Sequence, residues 1–259
     1  EICACLVGSE MCIRDSSFHG RTMGSLALTG NEHYQKPFGP MIGGIKFAEY
    51  NNLDSVKELV NDKTCAIILE PLQGEGGFIP APIEWVKAVR KICDENGILL
   101  VADEVQTGFC RTGRMFATQY WEEAGVQPDI LATAKSIAAA LKTIEIMERD
   151  DLAGCSCEIG EKVSKRFNEW KEKYPVIGDV RGLGGMIGLE FVKDQKSKEP
   201  YPEFSAAVIS GCAKKGLMIE GAGTYGNVIR FLAPLVMTDE QLEAVLDIYE
   251  SVIKELLEK

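Results

Sequence analysis

Residues 65–70 read CAIILE, residues 98–104 read ILLVADE, and residues 128–135 read PDILATAK. Between the first two, residues 83–95 (IEWVKAVRKICDE) put Trp85, Val86, Val89, Ile92 and Cys93 on one helical stripe. Short apolar runs alternating with an amphipathic helix predict strands joined by a crossover, and so an α/β fold with a mostly parallel sheet. The carboxyl ends of parallel strands share one edge, where ligands bind in open sheets. The three runs close on Glu70, on Asp103 and Glu104, and on Lys135. Any one of these fits a strand that simply leaves into a polar loop, but three in succession point to a site. Lys135, set among small and apolar neighbours, suits an amine kept ready for Schiff-base chemistry.

Outward from this core, residues 17–151 read as the large domain and residues 152–259 as a smaller α+β domain. The second region predicts a helix over 158–174, a glycine-rich strand pair over 181–192 and a helix over 204–215. A short strand over 228–232 and a closing helix from Asp239 follow. Thr238 with Gln241 forms a capping-box signature at that last helix. Residues 1–16 (EICACLVGSEMCIRDS) show neither strand alternation nor a helical stripe, and are expected to be a separate, artefactual segment.

With 259 residues and a net charge of −11 there is material for a sizeable core and no basic surface for nucleic acid or anionic membrane. The longest apolar runs fall far short of the roughly 20 residues of a membrane span, and no basic leader opens the chain, so a cytoplasmic protein is expected. Nine cysteines, an odd count in a chain this long, read as reduced thiols instead of a disulfide scaffold. Two histidines, His19 and His33, leave little for zinc, and no metal is expected. Residues 182–188 (GLGGMIG) match a dinucleotide loop only loosely, since a strand-like run follows where a helix is needed. QGEGG (73–77) and GAGTYGN (221–227) read as turns that let the backbone pass close to something bulky.

Six stretches carry a resemblance: SFHGRT (17–22), LEPLQGEGG (69–77), ADEVQTGFCRTG (102–113), PDILATAKSIA (128–138), DVRGLGGMIGLE (179–190) and GTYGNVIRFLAPL (223–235). Together, in this order, they resemble the motifs of the class III pyridoxal-phosphate-dependent aminotransferases. The resemblance implies a partial fold-type I large domain with pyridoxal 5′-phosphate as cofactor, and a family-like homodimer acting on small amino acids and 2-oxo acids. Within the family TYGNVIR and GDVRGLG look most like 4-aminobutyrate aminotransferases, with acetylornithine and ornithine aminotransferases as the alternatives.

By that resemblance Lys135 matches the lysine that bonds to the cofactor and shuttles the substrate proton. Asp103 matches the carboxylate that pairs with the pyridine nitrogen, and Gln106 a contact to the cofactor's phenolic oxygen. Phe18 and Val105 match the residues flanking the ring, and Arg21 a clamp for the substrate's remote carboxylate. Glu70 and Arg230 match a switch pair, in which the arginine holds an α-carboxylate or is neutralised by the glutamate. The family's phosphate-binding loop before SFHGRT, and a block of a few dozen residues after AKSIA that contains a GGT motif, have no counterpart here. A catalytically inactive fragment is therefore a further alternative. Cys110 stands where the family usually has glycine.

Overall fold

The computed structural model describes residues 10–14, 17–133 and 137–258, with side chains over 17–133 and 143–258. The chain divides into two compact units. The first comprises Glu1–Gly76, Pro80–Gly108 and Phe116–Lys135; the second comprises Gly77–Ile79, Phe109–Met115 and Ser136–Lys259.

The first unit is built on a five-stranded parallel sheet. Its strands are β1 (Glu10–Arg14), β2 (Ile45–Ala48), β3 (Thr64–Leu69), β4 (Leu99–Asp103) and β5 (Ile130–Ala132), in the order β2-β1-β3-β4-β5. The apolar runs quoted above form β3, β4 and β5, in register with Leu69 opposite Ala102 and Asp103 opposite Ala132. Between β3 and β4 the predicted helix, α1 (Ile83–Asn96), buries Trp85, Val86, Val89 and Cys93. These pack with Val56, Ile67, Leu69, Leu100 and Trp121 into one apolar core. The helix ends at Gly97, whose φ of 67° is the left-handed conformation that glycine adopts without a Cβ penalty. The absence of a strand before Ser17 is not sustained: β1 lies between β2 and β3, Met11 pairing with Ile45 on one side and Ala66 on the other.

The second unit pairs four antiparallel strands with helices. Strands β6 (Ile177–Leu183), β7 (Met186–Phe191), β8 (Glu220–Ala222) and β9 (Val228–Leu232) lie in the order β8-β9-β7-β6. Helices α2 (Leu152–Lys173), α3 (Pro202–Lys214) and α4 (Asp239–Leu257) supply Val163, Phe167, Trp170, Val208, Leu246 and Tyr249 to a core closed by Leu189, Ile229 and Phe231. Phe167 is its aromatic centre, with ring centroids 5.1 Å from Trp170, 6.0 Å from Tyr249 and 6.3 Å from Phe231.

Helix α2 starts six residues earlier than its apolar stripe predicts. Asp151 caps it by accepting from the Gly154 N–H, and the Cys155–Cys157 stretch becomes its first turns. There the Cys157 thiol donates to the Gly113 carbonyl at 3.7 Å. Further along the helix Gly160 has a packing role: a Cβ there would lie 1.9 Å from the Gly184 carbonyl oxygen.

The capping box of α4 forms as the sequence predicts. Thr238 Oγ1 accepts from the Gln241 N–H at 3.3 Å, and Gln241 Oε1 accepts from the Thr238 N–H at 3.1 Å. Thr238→Ala is expected to lower stability by about 1 kcal/mol, read from urea unfolding. Among the described residues no helix is long and apolar enough to cross a membrane.

Candidate active site

In the first sheet the connection from β1 runs to β2 on one side and that from β3 runs to β4 on the other. Strand order therefore reverses between β1 and β3, and the crevice at their carboxyl ends is where an α/β sheet takes a ligand. SFHG follows β1, Glu70 follows β3, and Asp103 ends β4. The Phe18 N–H donates to Glu70 Oε1 at 3.2 Å, and His19 Nδ1 lies 2.6 Å from Asp103 Oδ2. The other carboxylate oxygens are also held: Gly74 N–H donates to Glu70 Oε2 at 3.1 Å and Val105 N–H to Asp103 Oδ1 at 3.0 Å. The SFHG segment is itself pinned, since the His19 N–H donates to Thr29 Oγ1 at 3.1 Å and Ser17 Oγ to the Leu28 carbonyl at 3.1 Å.

Glu70 and Asp103 are both buried, and burial dominates the first of them. Loss of hydration pushes the Glu70 carboxyl up to about 7. The nearby His19 ring and the Gly74 and Phe18 amides work against that rise, while the Asp103 charge adds to it.

Glu104, the residue after β4, has different partners from Asp103. It is fully buried and accepts three hydrogen bonds: from Thr107 Oγ1 at 2.5 Å, from the Ala117 N–H at 3.1 Å and from the Thr118 N–H at 2.6 Å. It thus fastens both ends of the 105–118 stretch, the part of the chain that carries Val105 and Gln106.

Gln106 meets Gly74 from the QGEGG turn. A Cβ at Gly74 would fall 1.4 Å from Gln106 Oε1, so the bulky group this glycine admits is the glutamine side chain. Phe18 packs edge-on to Tyr34 at 5.5 Å, and the Arg21 guanidinium lies over both rings, 5.7 Å and 5.3 Å from their centroids. Val105 is half exposed. Lys135 lies outside the described residues; β5 stops at Ala132, opposite Asp103.

Within the second unit Arg230 sits on β9, directly opposite Glu220 on β8, and its Nη2 lies 2.9 Å from Glu220 Oε2. It borders a pocket of about 540 Å³ whose walls include Phe231, Met237 and Tyr249. The sequence therefore anticipates the convergence of Phe18, Glu70, Asp103 and Gln106 on one sheet edge. It misses His19, and it counts Glu104 among the site's charges, whereas Glu104 is spent on Thr107, Ala117 and Thr118. For His19 the one available signal was its place inside the SFHGRT motif.

These residues fit pyridoxal 5′-phosphate. Asp103 is a buried acceptor fixed by two donors and suited to a protonated ring nitrogen. Among the described residues, His19 Nε2 and Gln106 Oε1 are buried polar atoms with no hydrogen-bond partner, at the same edge. An added polar molecule supplies what they lack.

The comparisons with known proteins agree. The family model described as aminotransferase class-III matches residues 9–139 and 136–253, two blocks that meet just after Lys135 and include the last residues before Ser17. The chain is 37% identical over 281 residues to an acetylornithine aminotransferase of Clostridium acetobutylicum, covering 95% of this chain and 69% of that relative. It is 38% identical over 290 residues to a 5-aminovalerate aminotransferase of Pseudomonas putida, covering 92% and 67%. With a probable 4-aminobutyrate aminotransferase of Bacillus subtilis it shares 33% over 292 residues, covering 90% and 66%. The chain thus spans about two thirds of the length of these relatives. Among solved structures, an amine transaminase from an uncultivated Pseudomonas species in its PLP-bound form superposes with a TM-score of 0.86 at 26% identity, covering 98% of this chain and 71% of that one. The chain belongs to the class III aminotransferases, a family of enzymes that depend on pyridoxal 5′-phosphate.

Proposed function

We propose that the protein transfers an amino group from 4-aminobutyrate, or a similar ω-amino acid, to 2-oxoglutarate. The observation that carries this reading is the buried Asp103, gripped by His19 and by the Val105 N–H beside Glu70 at the carboxyl edge of the sheet. Bound there, pyridoxal 5′-phosphate supplies an electron sink that stabilises negative charge at the substrate carbon.

The chain's own residues do the rest. Asp103 keeps the ring nitrogen protonated by offering a fixed anion, Gln106 donates or accepts at the ring oxygen, and Phe18 and Val105 flank the ring. Lys135 Nζ takes the proton from the carbon that bears the substrate amine and returns it on the other side of the transfer. Arg21 holds the carboxylate remote from the amine. Arg230 holds the second carboxylate of glutamate or 2-oxoglutarate through a two-pronged ion pair, and Glu70 takes its place when the donor has only one. A retained cation with a removable counter-ion suits a site that must accept both kinds of acid, because a buried guanidinium left alone is costly.

Support for an ω-amino acid comes from relatives named for 5-aminovalerate and 4-aminobutyrate. The second reading, acetylornithine as donor, is favoured by the name of the relative at 37% identity. A cytosolic homodimer belongs to both readings.

The alignment with that relative runs over 281 positions while 95% of the 259 residues take part, so a few dozen of its positions have no counterpart in this chain. The meeting of the two family blocks at 136–139 supports placing that gap there. The test is a coupled glutamate-forming assay with 4-aminobutyrate, 5-aminovalerate, ornithine and acetylornithine. It is run on the chain and on a version in which a family-like segment with its GGT motif is inserted at this seam. Activity is expected with the ω-amino acids in the restored protein and little in the chain itself. A restored protein that preferred acetylornithine would replace the donor, and one inert with all four would remove the assignment.

A further inference from the structure

The geometry points to His19 as a positioning residue: it holds the Asp103 carboxylate in the plane and orientation that a protonated ring nitrogen requires. This role presupposes the cofactor site proposed above. The two side chains are 2% and 7% exposed, and their 2.6 Å separation is that of a charge-assisted hydrogen bond. An ionised carboxylate only accepts, so His19 Nδ1 is the donor and the proton's place on the ring is fixed.

Asp103 is then held from two independent directions. Val105 N–H, two residues along the same chain segment, takes Oδ1; His19, brought in from the far side of the switch point, takes Oδ2. Two donors on two different oxygens remove the rotation about the Cβ–Cγ bond that either alone would permit. Each oxygen keeps a further lone pair for an incoming donor. The imidazole is as firmly seated as the carboxylate it holds. Its own backbone N–H is fixed to Thr29 Oγ1, whose single proton has the Gly20 and Ser25 carbonyls within reach at 3.1 Å, while the preceding amide is fixed to Glu70. A residue present only to fill space would not need a buried ring nitrogen: among the described residues His19 Nε2 has no partner, a cost that the hydrogen bond at Nδ1 offsets.

The chain's two histidines make the test simple, because His33→Gln leaves His19 as the single imidazole. In the cofactor-free protein, nitrogen-edited NMR of that variant is expected to show one low-field imidazole N–H at Nδ1, protected from solvent exchange and moved upfield by Asp103→Asn. The second measurement is the dissociation constant of pyridoxal 5′-phosphate, followed by absorbance, for the parent, His19→Ala and His19→Asn. Loss of the donor is expected to weaken binding about tenfold or more, and asparagine, which restores an N–H near the Nδ1 position, to recover most of it. Thermal unfolding without cofactor separates the two roles, since a merely structural histidine would lower the midpoint in both variants and leave the constants alike.

Parent and His19→Ala proteins with indistinguishable dissociation constants, at whatever level, would overturn the inference, as would absence of the low-field resonance. Should His19→Ala fail to fold, the comparison of parent with His19→Asn and the resonance decide. A parent that binds the cofactor but moves no amino group from any donor would instead count against the proposed function and leave His19 where it is.

Discussion

Glu104→Ala is expected to destabilise the first unit by about 4 kcal/mol, the largest effect of any single polar substitution in it. The carboxylate is fully buried and satisfies three donors, the Thr107 hydroxyl and the Ala117 and Thr118 amides. Truncation leaves the Ala117 and Thr118 amides facing a dry gap, at about 1–3 kcal/mol each, and takes the Glu104 acceptor from the Thr107 hydroxyl, partly relieved by rearrangement. Thr107→Val removes one donor together with its need for an acceptor and is expected to cost only about 1 kcal/mol. Urea unfolding of both variants checks the pair. A Glu104→Ala protein within 1 kcal/mol of the parent would mean that water reaches these amides. Because the same carboxylate fastens the stretch bearing Val105 and Gln106, weaker cofactor capture is expected to accompany the loss of stability.

The second large effect is one of pH. The Glu70 carboxyl, at about 7 in the folded chain against an ordinary value of 4.5, binds its proton more tightly when folded than when unfolded. The folded state therefore holds the extra proton between these values, and stability falls as pH rises through that window. The contribution is full below 4.5 and gone above about 7. Between pH 5.5 and pH 8 it amounts to about 2 kcal/mol. Urea unfolding at the two pH values should show the parent losing about 2 kcal/mol more than Glu70→Gln, which has no proton to release. Equal losses would show that Glu70 is hydrated or already ion-paired.

The strand ends were legible because a parallel sheet turns sequence into position. CAIILE and ILLVADE each carry one uninterrupted apolar run, and their register alone brings Glu70 beside Asp103. Strand β1 was not legible in this way. Residues 10–14 (EMCIR) show no alternation to read, and only pairing with a strand on either side identifies them as β1. His19 was invisible for a different reason. It stands 84 residues from its partner, and only the crossing of the chain at the switch point makes them neighbours. The glycine of QGEGG was correctly read as yielding to something bulky, but the occupant, Gln106, comes from another motif. Cys155 and Cys157 lie in the helix that begins at Leu152, which places the second thiol against the Gly113 carbonyl. Cys110, where glycine is usual, keeps a φ of 69°, so the backbone there retains the shape that a glycine favours.

The division of the chain bears on how it can be taken apart and how it is made. Residues 77–79 and 109–115 belong to the second unit, yet their flanks on both sides belong to the first. No single cut releases either unit whole: cleavage after Lys135 strands those two segments on the wrong piece, severed from the helices and sheet they pack with. During synthesis the first 135 residues emerge with two of their loops still lacking partners, which arrive only as residues 136–259 follow. Residues 136–259, nearly half of the chain, must thus follow before segments 77–79 and 109–115 can pack, and a ribosome stalled after Lys135 would hold a half-folded chain.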